Sequence, residues 1–201
     1  FVYVVNTDGS NPMLLTASPA DEVGDWSPNG QSVIYAVHEE TRQGIYTRNP
    51  DGVNEFRLTE SPDYSPVWSP NSTNIAFLSS RDGTTEIYVM KADGTEQKRV
   101  TNNNAVESNI SWSPDSKKLL LVSDIDGNGE IYVTDLEKNE ETRLTHNNTW
   151  DGHPHWSPDG KKIVFVSEKV GNMELFIMNS TGENQKRLTN NQSHDTNPSW
   201  N

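Results

Sequence analysis

Apolar residues along this chain come in short runs separated by polar turn formers. Four such runs, "SVIYAV", "NIAFLS", "KLLLVS" and "KIVFVS", are each followed, after a polar stretch with Gly, by an aromatic run: "GIYTRN", "EIYVMK", "EIYVTD" or "ELFIMN". A third run closes each unit in Leu-Thr or Val-Thr ("FRLT", "KRVT", "TRLT", "KRLT"). Runs this short, bounded by Pro, Gly, Asn and Asp, predict strands, because those residues supply the backbone angles that turns require. No stretch carries the sustained spacing of three and four that marks a helix face, so no helix is predicted.

The runs recur with a fixed period. Trp26, Trp68, Trp112, Trp156 and Trp200 lie 42, 44, 44 and 44 residues apart. Four of them sit in the phrases "DWSPNG", "VWSPNS", "SWSPDS" and "HWSPDG", and the fifth in "PSWN". Each unit then carries four strands, the first of which ends in Trp. A period of about 40 to 45 residues with four strands per unit predicts an all-β chain built as a β-propeller, whose small sheets bury their faces only by stacking on their neighbours. The repeats run over 17–59, 60–101, 102–145 and 146–189, and the terminal segments 1–16 and 190–201 are expected to form a split blade. That gives about five repeats, read either as a five-bladed ring or as an excerpt of a larger, six-bladed propeller. Trp is expected to be the wedge between adjacent blades, and Ser-Pro-Asp-Gly the turn from first to second strand. Trp150, outside the repeated phrase, is expected to matter less.

Composition narrows the partners. Hydrophobic residues make up only 31% of the chain and the net charge is −13, so binding to nucleic acid or to anionic membrane is opposed and basic partners or metal cations are favoured. No apolar run approaches the roughly 18 residues of a membrane span, so membrane insertion is not expected. The chain opens on "FVYVVN" without an initiator Met or a signal sequence and reads as a processed or excised piece. It has no Cys, which excludes disulfides, thiol catalysis and zinc–thiolate sites.

Three candidate sites emerge. An acid lies five positions before each repeated Trp: Asp21, Asp63, Glu107, Asp151 and Asp195. The register suggests a ring at one mouth of a central channel, a site for a cation or a basic peptide; alternatively each acid caps its own turn by accepting from backbone amides. His153 lies two residues after Asp151 at the same mouth, with His155 beside it; two imidazoles on one strand fall short of the three or four ligands of a metal site. The segment "DIDGNGEIYVTD" fits the EF-hand loop pattern, but its aligned copies make it a hairpin loop without flanking helices. Asp124, Asp126 and Asn128 could still gather oxygens around calcium, the one cofactor suggested; none is required. No "GxSxG", "HExxH" or phosphate loop is present, and every acid noted has a counterpart in another repeat, which favours a scaffold over an enzyme.

The phrases "NPSW", "HPHWSPDGKKIVF", "SRDGTTEIYVMKADGTEQKRVT" and "STGENQKRLTNN" closely resemble the WD40-like propeller repeats of the TolB family, the periplasmic partner of a peptidoglycan-associated lipoprotein. The resemblance covers essentially the whole chain. It departs at Glu107, where the other copies have Asp, at Ile110 and Gly24, in Pro positions, and at "LEKN", where another copy reads "ADGT"; nothing of the family's separate N-terminal α/β domain is present. It implies a non-enzymatic binding propeller, periplasmic or extracellular, that holds a protein or peptide ligand, or a glycan. The same repeat also occurs as the substrate-gating propeller of serine peptidases, which implies the alternative of a hydrolase whose catalytic domain lies elsewhere in the parent protein.

Overall fold

The computed structural model describes residues 2–16 and 22–200, and every regular element among them is a strand. The chain forms two compact units, Phe1–Thr101 and Asn102–Asn201. In the first unit, β1 (Val2–Val4) and β2 (Met13–Thr16) make a two-stranded antiparallel sheet. Two four-stranded antiparallel sheets follow, each in chain order. One comprises β3 (Glu22–Trp26), β4 (Val33–Val37), β5 (Gly44–Arg48) and β6 (Phe56–Arg57); the other comprises β7 (Asp63–Trp68), β8 (Asn74–Ser79), β9 (Glu86–Lys91) and β10 (Lys98–Arg99). The second unit holds two more sheets of the same kind. They are β11 (Glu107–Trp112), β12 (Lys118–Ser123), β13 (Glu130–Asp135) and β14 (Glu140–Arg143), then β15 (Asp151–Trp156), β16 (Lys162–Ser167), β17 (Glu174–Asn179) and β18 (Lys186–Arg187).

The second strand of each four-stranded sheet is buried along nearly its whole length. Both of its faces are covered, which is why its sequence is a continuous apolar run instead of an alternation. In the first unit one cluster joins Ile34 and Ile45 of one sheet to Trp68, Ile75, Phe77, Tyr88 and Met90 of the next. In the second unit Leu120, Val122, Ile131 and Leu144 meet Ile163, Phe165, Phe176 and Met178, with Trp156 packed against them. Within each unit the core therefore lies between sheets, and Trp68 and Trp156 belong to it, as a wedge would.

The repeated Trp ends the first strand of every four-stranded sheet and pairs with an apolar residue of the second: Trp26 with Val33, Trp68 with Ile75, Trp112 with Leu119, Trp156 with Ile163. Its burial varies with what lies beside it. Trp68 and Trp112 are 8% and 7% exposed, whereas Trp26 is 45% and Trp200 36% exposed.

After each Trp the Ser hydroxyl locks the predicted turn. Ser27, Ser69, Ser113 and Ser157 donate to the Asn or Asp two residues on, and their hydroxyls accept the amide of the residue five further on. The last turn position is left-handed in all four copies, with Gly at Gly30 and Gly160 and Ser at Ser72 and Ser116. A bulge interrupts all four first strands, and Ser65, Asn109 and His153 adopt positive φ of 48°, 51° and 49° there. A bulge places an extra residue on the strand and re-aims its neighbours.

Replacing Trp68 with Ala is expected to cost about 3 to 5 kcal/mol, as for large aromatics removed from a core. The same change at the half-exposed Trp26 is expected to cost much less. Urea denaturation of the two variants beside the wild type measures the difference, and equal losses would refute the wedge role of Trp68.

Candidate functional site

Four of the five acids before the Trp residues can be located, and Asp21 lies outside the described residues. Asp63, Glu107 and Asp151 each open the first strand of a sheet and are fully or almost fully buried. In the first unit Asp63 pairs with the guanidinium of Arg81 at 2.5 Å, and that guanidinium lies over the ring of Tyr88, 4.8 Å from its centroid. In the second unit an Asn four residues ahead serves each acid. Asn103 donates to Glu107 at 2.7 Å, Asn147 to Asp151 at 2.6 Å and Asn191 to Asp195 at 2.7 Å. The same three Asn side chains accept the amide two residues on, closing the loop that leads into the strand. The donors at these acids are thus side chains, Arg81 and the three Asn, joined by the Ser123 hydroxyl at Glu107 and by Ser167 at Asp151, where the capping alternative anticipated the turn's own amides. Burial raises the Asp151 carboxyl above its ordinary range, hydrogen bonds from Ser167 and Asn147 oppose the rise, and the charge of Glu130 adds to it.

His153 occupies the bulge position, where its counterparts are Ser65 and Asn109. Its ring meets Trp150 edge-on at 5.6 Å, its amide donates to Asn109 Oδ1 at 3.4 Å, and burial lowers its pKa. His155 on the same strand is exposed. Trp150, which the repeat pattern ranks low, is closely packed: a Cβ added to Gly129 or Gly152 would fall 2.5 or 2.1 Å from its indole. Two glycines therefore make room for a single aromatic residue, a coupling invisible without the third dimension.

The three residues of the EF-hand-like segment engage different partners. Asp124 Oδ1 accepts the amide of Val106 at 2.8 Å, and Asp126 Oδ2 accepts from the Tyr132 hydroxyl and from Arg143 at 2.6 Å. The Asn128 amide donates to the carbonyl of Thr149 at 2.7 Å and to Glu130 at 2.9 Å. Among the described residues no group of three or more His, Asp or Glu side chains comes together in a metal-binding cluster.

The chain contains another set of buried charges outside the three candidate sites. Glu86, Glu130 and Glu174 open the third strands, fully buried, and bind Arg99, Arg143 and Arg187 at 2.5, 3.2 and 2.7 Å. In each case the Arg Nε donates to the carbonyl of the closing Thr, at 2.8, 2.7 and 2.6 Å. The hydroxyl of that Thr accepts the amide of the residue after the Glu, at 2.9 Å in every copy. This clasp holds the fourth strand, which is only two residues long in two of the three sheets. A signal was present in the sequence, since Glu and Arg stand 13 residues apart in three copies. In the fourth copy Gly44 replaces the Glu; it has φ of 139°, and a Cβ there would lie 2.1 Å from the carbonyl oxygen of Thr59.

Hydrogen bonds from Thr189 foremost, then Arg187 and the Asn191 amide, outweigh burial at Glu174 and bring its pKa to about 2 from an ordinary 4.5. A pKa depressed on folding contributes stability that is complete above the unfolded value and lost as pH falls through the folded one. Stability from Glu174 is therefore expected to disappear between about pH 4.5 and about pH 2, and Glu174→Gln should flatten that part of the profile. Urea melts at about pH 6 and about pH 3 provide the check. At neutral pH, Asp63→Ala removes the buried carboxylate from Arg81, which keeps Ser79 and Gln97 as partners, and is expected to cost about 1 to 3 kcal/mol. Asp151→Asn, which keeps an oxygen for Asn147 and removes a buried charge of raised pKa, should be neutral or stabilising in the same measurement.

Four-stranded antiparallel sheets in chain order, each opened by an acid-to-Trp strand and closed by a short strand, define the class as a β-propeller. Residues 2–169 match the TolB beta propeller domain, and the chain belongs to that family. Among solved structures it is similar to a protein assigned as TolB from Agrobacterium tumefaciens, with 24% identity and a TM-score of 0.78 over 96% of this chain and 70% of that one. It is also similar to TolB from Acinetobacter baumannii, with 26% identity and a TM-score of 0.76 over 93% of this chain and 48% of that one. A puromycin hydrolase shares the fold at 16% identity and a TM-score of 0.71, over 91% of this chain and 33% of that one. No curated protein matches the chain.

Proposed function

We propose that this chain is a non-enzymatic binding propeller of TolB type, periplasmic or extracellular, that holds a protein or peptide ligand, with a glycan as the second ligand class. The observation that carries this reading is the use of the repeated charges. The carboxylates that open the third strands, and Asp63, Glu107, Asp151 and Asp195 before the repeated Trp residues, are engaged by Arg, Asn or Thr side chains that hold the sheets. Groups so engaged stabilise a framework and are poorly placed to exchange protons with a substrate. The net charge of −13 suits a partner with a basic face and disfavours nucleic acid. No cofactor is required in this reading. Calcium at Asp124, Asp126 and Asn128 would have to take Asp126 from Arg143 and Tyr132, so the expected outcome is a melting temperature that does not move in millimolar calcium.

The fold shared with puromycin hydrolase supports a second reading, a substrate-gating propeller attached to a hydrolase domain. Isothermal titration with the soluble domain of a peptidoglycan-associated lipoprotein, run beside an esterase and peptidase assay, tests the two. A saturable heat that weakens as salt rises, without turnover, is expected. Hydrolytic turnover by the purified chain would overturn the binding reading, and a hydrolase domain in the parent reading frame would establish the second.

A further inference from the structure

The first four-stranded sheet departs from the others at four aligned positions. Tyr35, paired with Tyr46, stands where the others have Phe77, Leu121 and Phe165. Arg48, paired with Val33, stands where they have the buried Met90, Thr134 and Met178. Arg42 takes the place of Thr84, Asn128 and Asn172, which bind the buried Glu two residues later, and that Glu is here Gly44. Three of the four replacements, Tyr35, Arg42 and Arg48, line one cavity of about 220 Å³ together with Glu55 and the apolar side chains of Leu15 and Val37.

The charges in this cavity do not balance. Glu55 is taken by both Arg42, at 3.0 Å, and the Tyr35 hydroxyl. Burial, then the bond to Glu55, raises the Tyr35 phenol well above its ordinary pKa, so it stays protonated. Arg48 is half-buried, and its donors reach only carbonyl oxygens, that of Gly52 at 2.6 Å and that of Leu15. It forms no ion pair among the described residues. Among the described residues that line it, the cavity therefore carries one surplus positive charge, inside a chain of net charge −13. A guanidinium removed from water without a counter-charge is unfavourable, and an anion that reaches it is stabilised accordingly. Glu55 on the wall would repel a second negative charge, which selects a monovalent carboxylate over a phosphate dianion. Leu15 and Val37 give the rest of such a ligand an apolar surface.

We propose that this cavity binds small organic monocarboxylates, with Arg48 anchoring the carboxylate. The site does not depend on how the propeller meets a protein partner. A peptide C-terminus and a uronic acid share this chemistry, and the test separates them. The full chain, labelled with ¹⁵N, is titrated with N-acetyl-L-leucine, with N-acetyl-L-leucinamide and with D-galacturonate, and amide shifts around Arg48 and Tyr35 are followed. Saturating shifts with a carboxylate and none with the amide are expected; the tighter of the two acids identifies the source. Arg48→Met places in the cavity the residue that two sister sheets carry there, and it should weaken binding by at least about tenfold, whereas Arg48→Lys should retain part of it. Equal binding of acid and amide, no shift with either acid, or unchanged affinity in a folded Arg48→Met would overturn the proposal. If Arg48→Met fails to fold, the comparison of acid with amide on the wild type decides alone.

Discussion

A four-stranded sheet has two faces, and among the described residues the large apolar clusters form where one sheet covers another. That constraint accounts for the core: Ile34 and Ile45 meet Phe77 and Met90 in one unit, and Leu120 and Ile131 meet Phe165 and Met178 in the other. It also fixes what the repeated Trp does. Trp68 and Trp156 join the clusters that link neighbouring sheets, while Trp26 and Trp200 remain substantially exposed. One residue type in one register position thus has different energetic weight according to its surroundings.

Stacking leaves a second problem at the edges, because a closing strand of two residues has few ladder hydrogen bonds. The Glu–Arg–Thr clasp answers it. The buried carboxylate orients the guanidinium, the guanidinium holds the carbonyl of the closing Thr, and the Thr hydroxyl takes the amide that the short strand leaves open. In each clasp the buried carboxylate faces a guanidinium, as buried charge requires. The same economy governs Glu107, Asp151 and Asp195, where an Asn both closes its loop and supplies a donor.

Repetition makes departures informative. Where Gly44 replaces the clasp's Glu, Arg57 still binds the Thr59 carbonyl, at 3.1 Å, and Thr59 still accepts the Ile45 amide, at 2.9 Å. The acid of that sheet appears instead at Glu55, facing Arg42, and Arg48 enters a place that the sister sheets fill with Met or Thr. A framework that tolerates such an exchange can carry a binding site in one sheet without disturbing the others, which is how function is grafted onto repeats.

The sequence by itself determined the strands of the four-stranded sheets, their turns and the period, because these depend on local rules: apolar runs, turn formers and a Trp at fixed spacing. Those signals are short-range and survive in each of the four four-stranded sheets. Partners were a different matter. That Asp126 faces Arg143 and Tyr132, that Asn147 serves Asp151, and that Trp150 rests on Gly129 and Gly152 all depend on contacts between segments whose meeting no local pattern encodes. The carboxylates of the EF-hand-like segment looked convergent along the chain, and the hairpin turned them toward separate partners. Tertiary structure also decided which charges balance, since Arg48 resembles any other polar strand residue in sequence and acquires its meaning only beside Tyr35, Arg42 and Glu55 in one cavity.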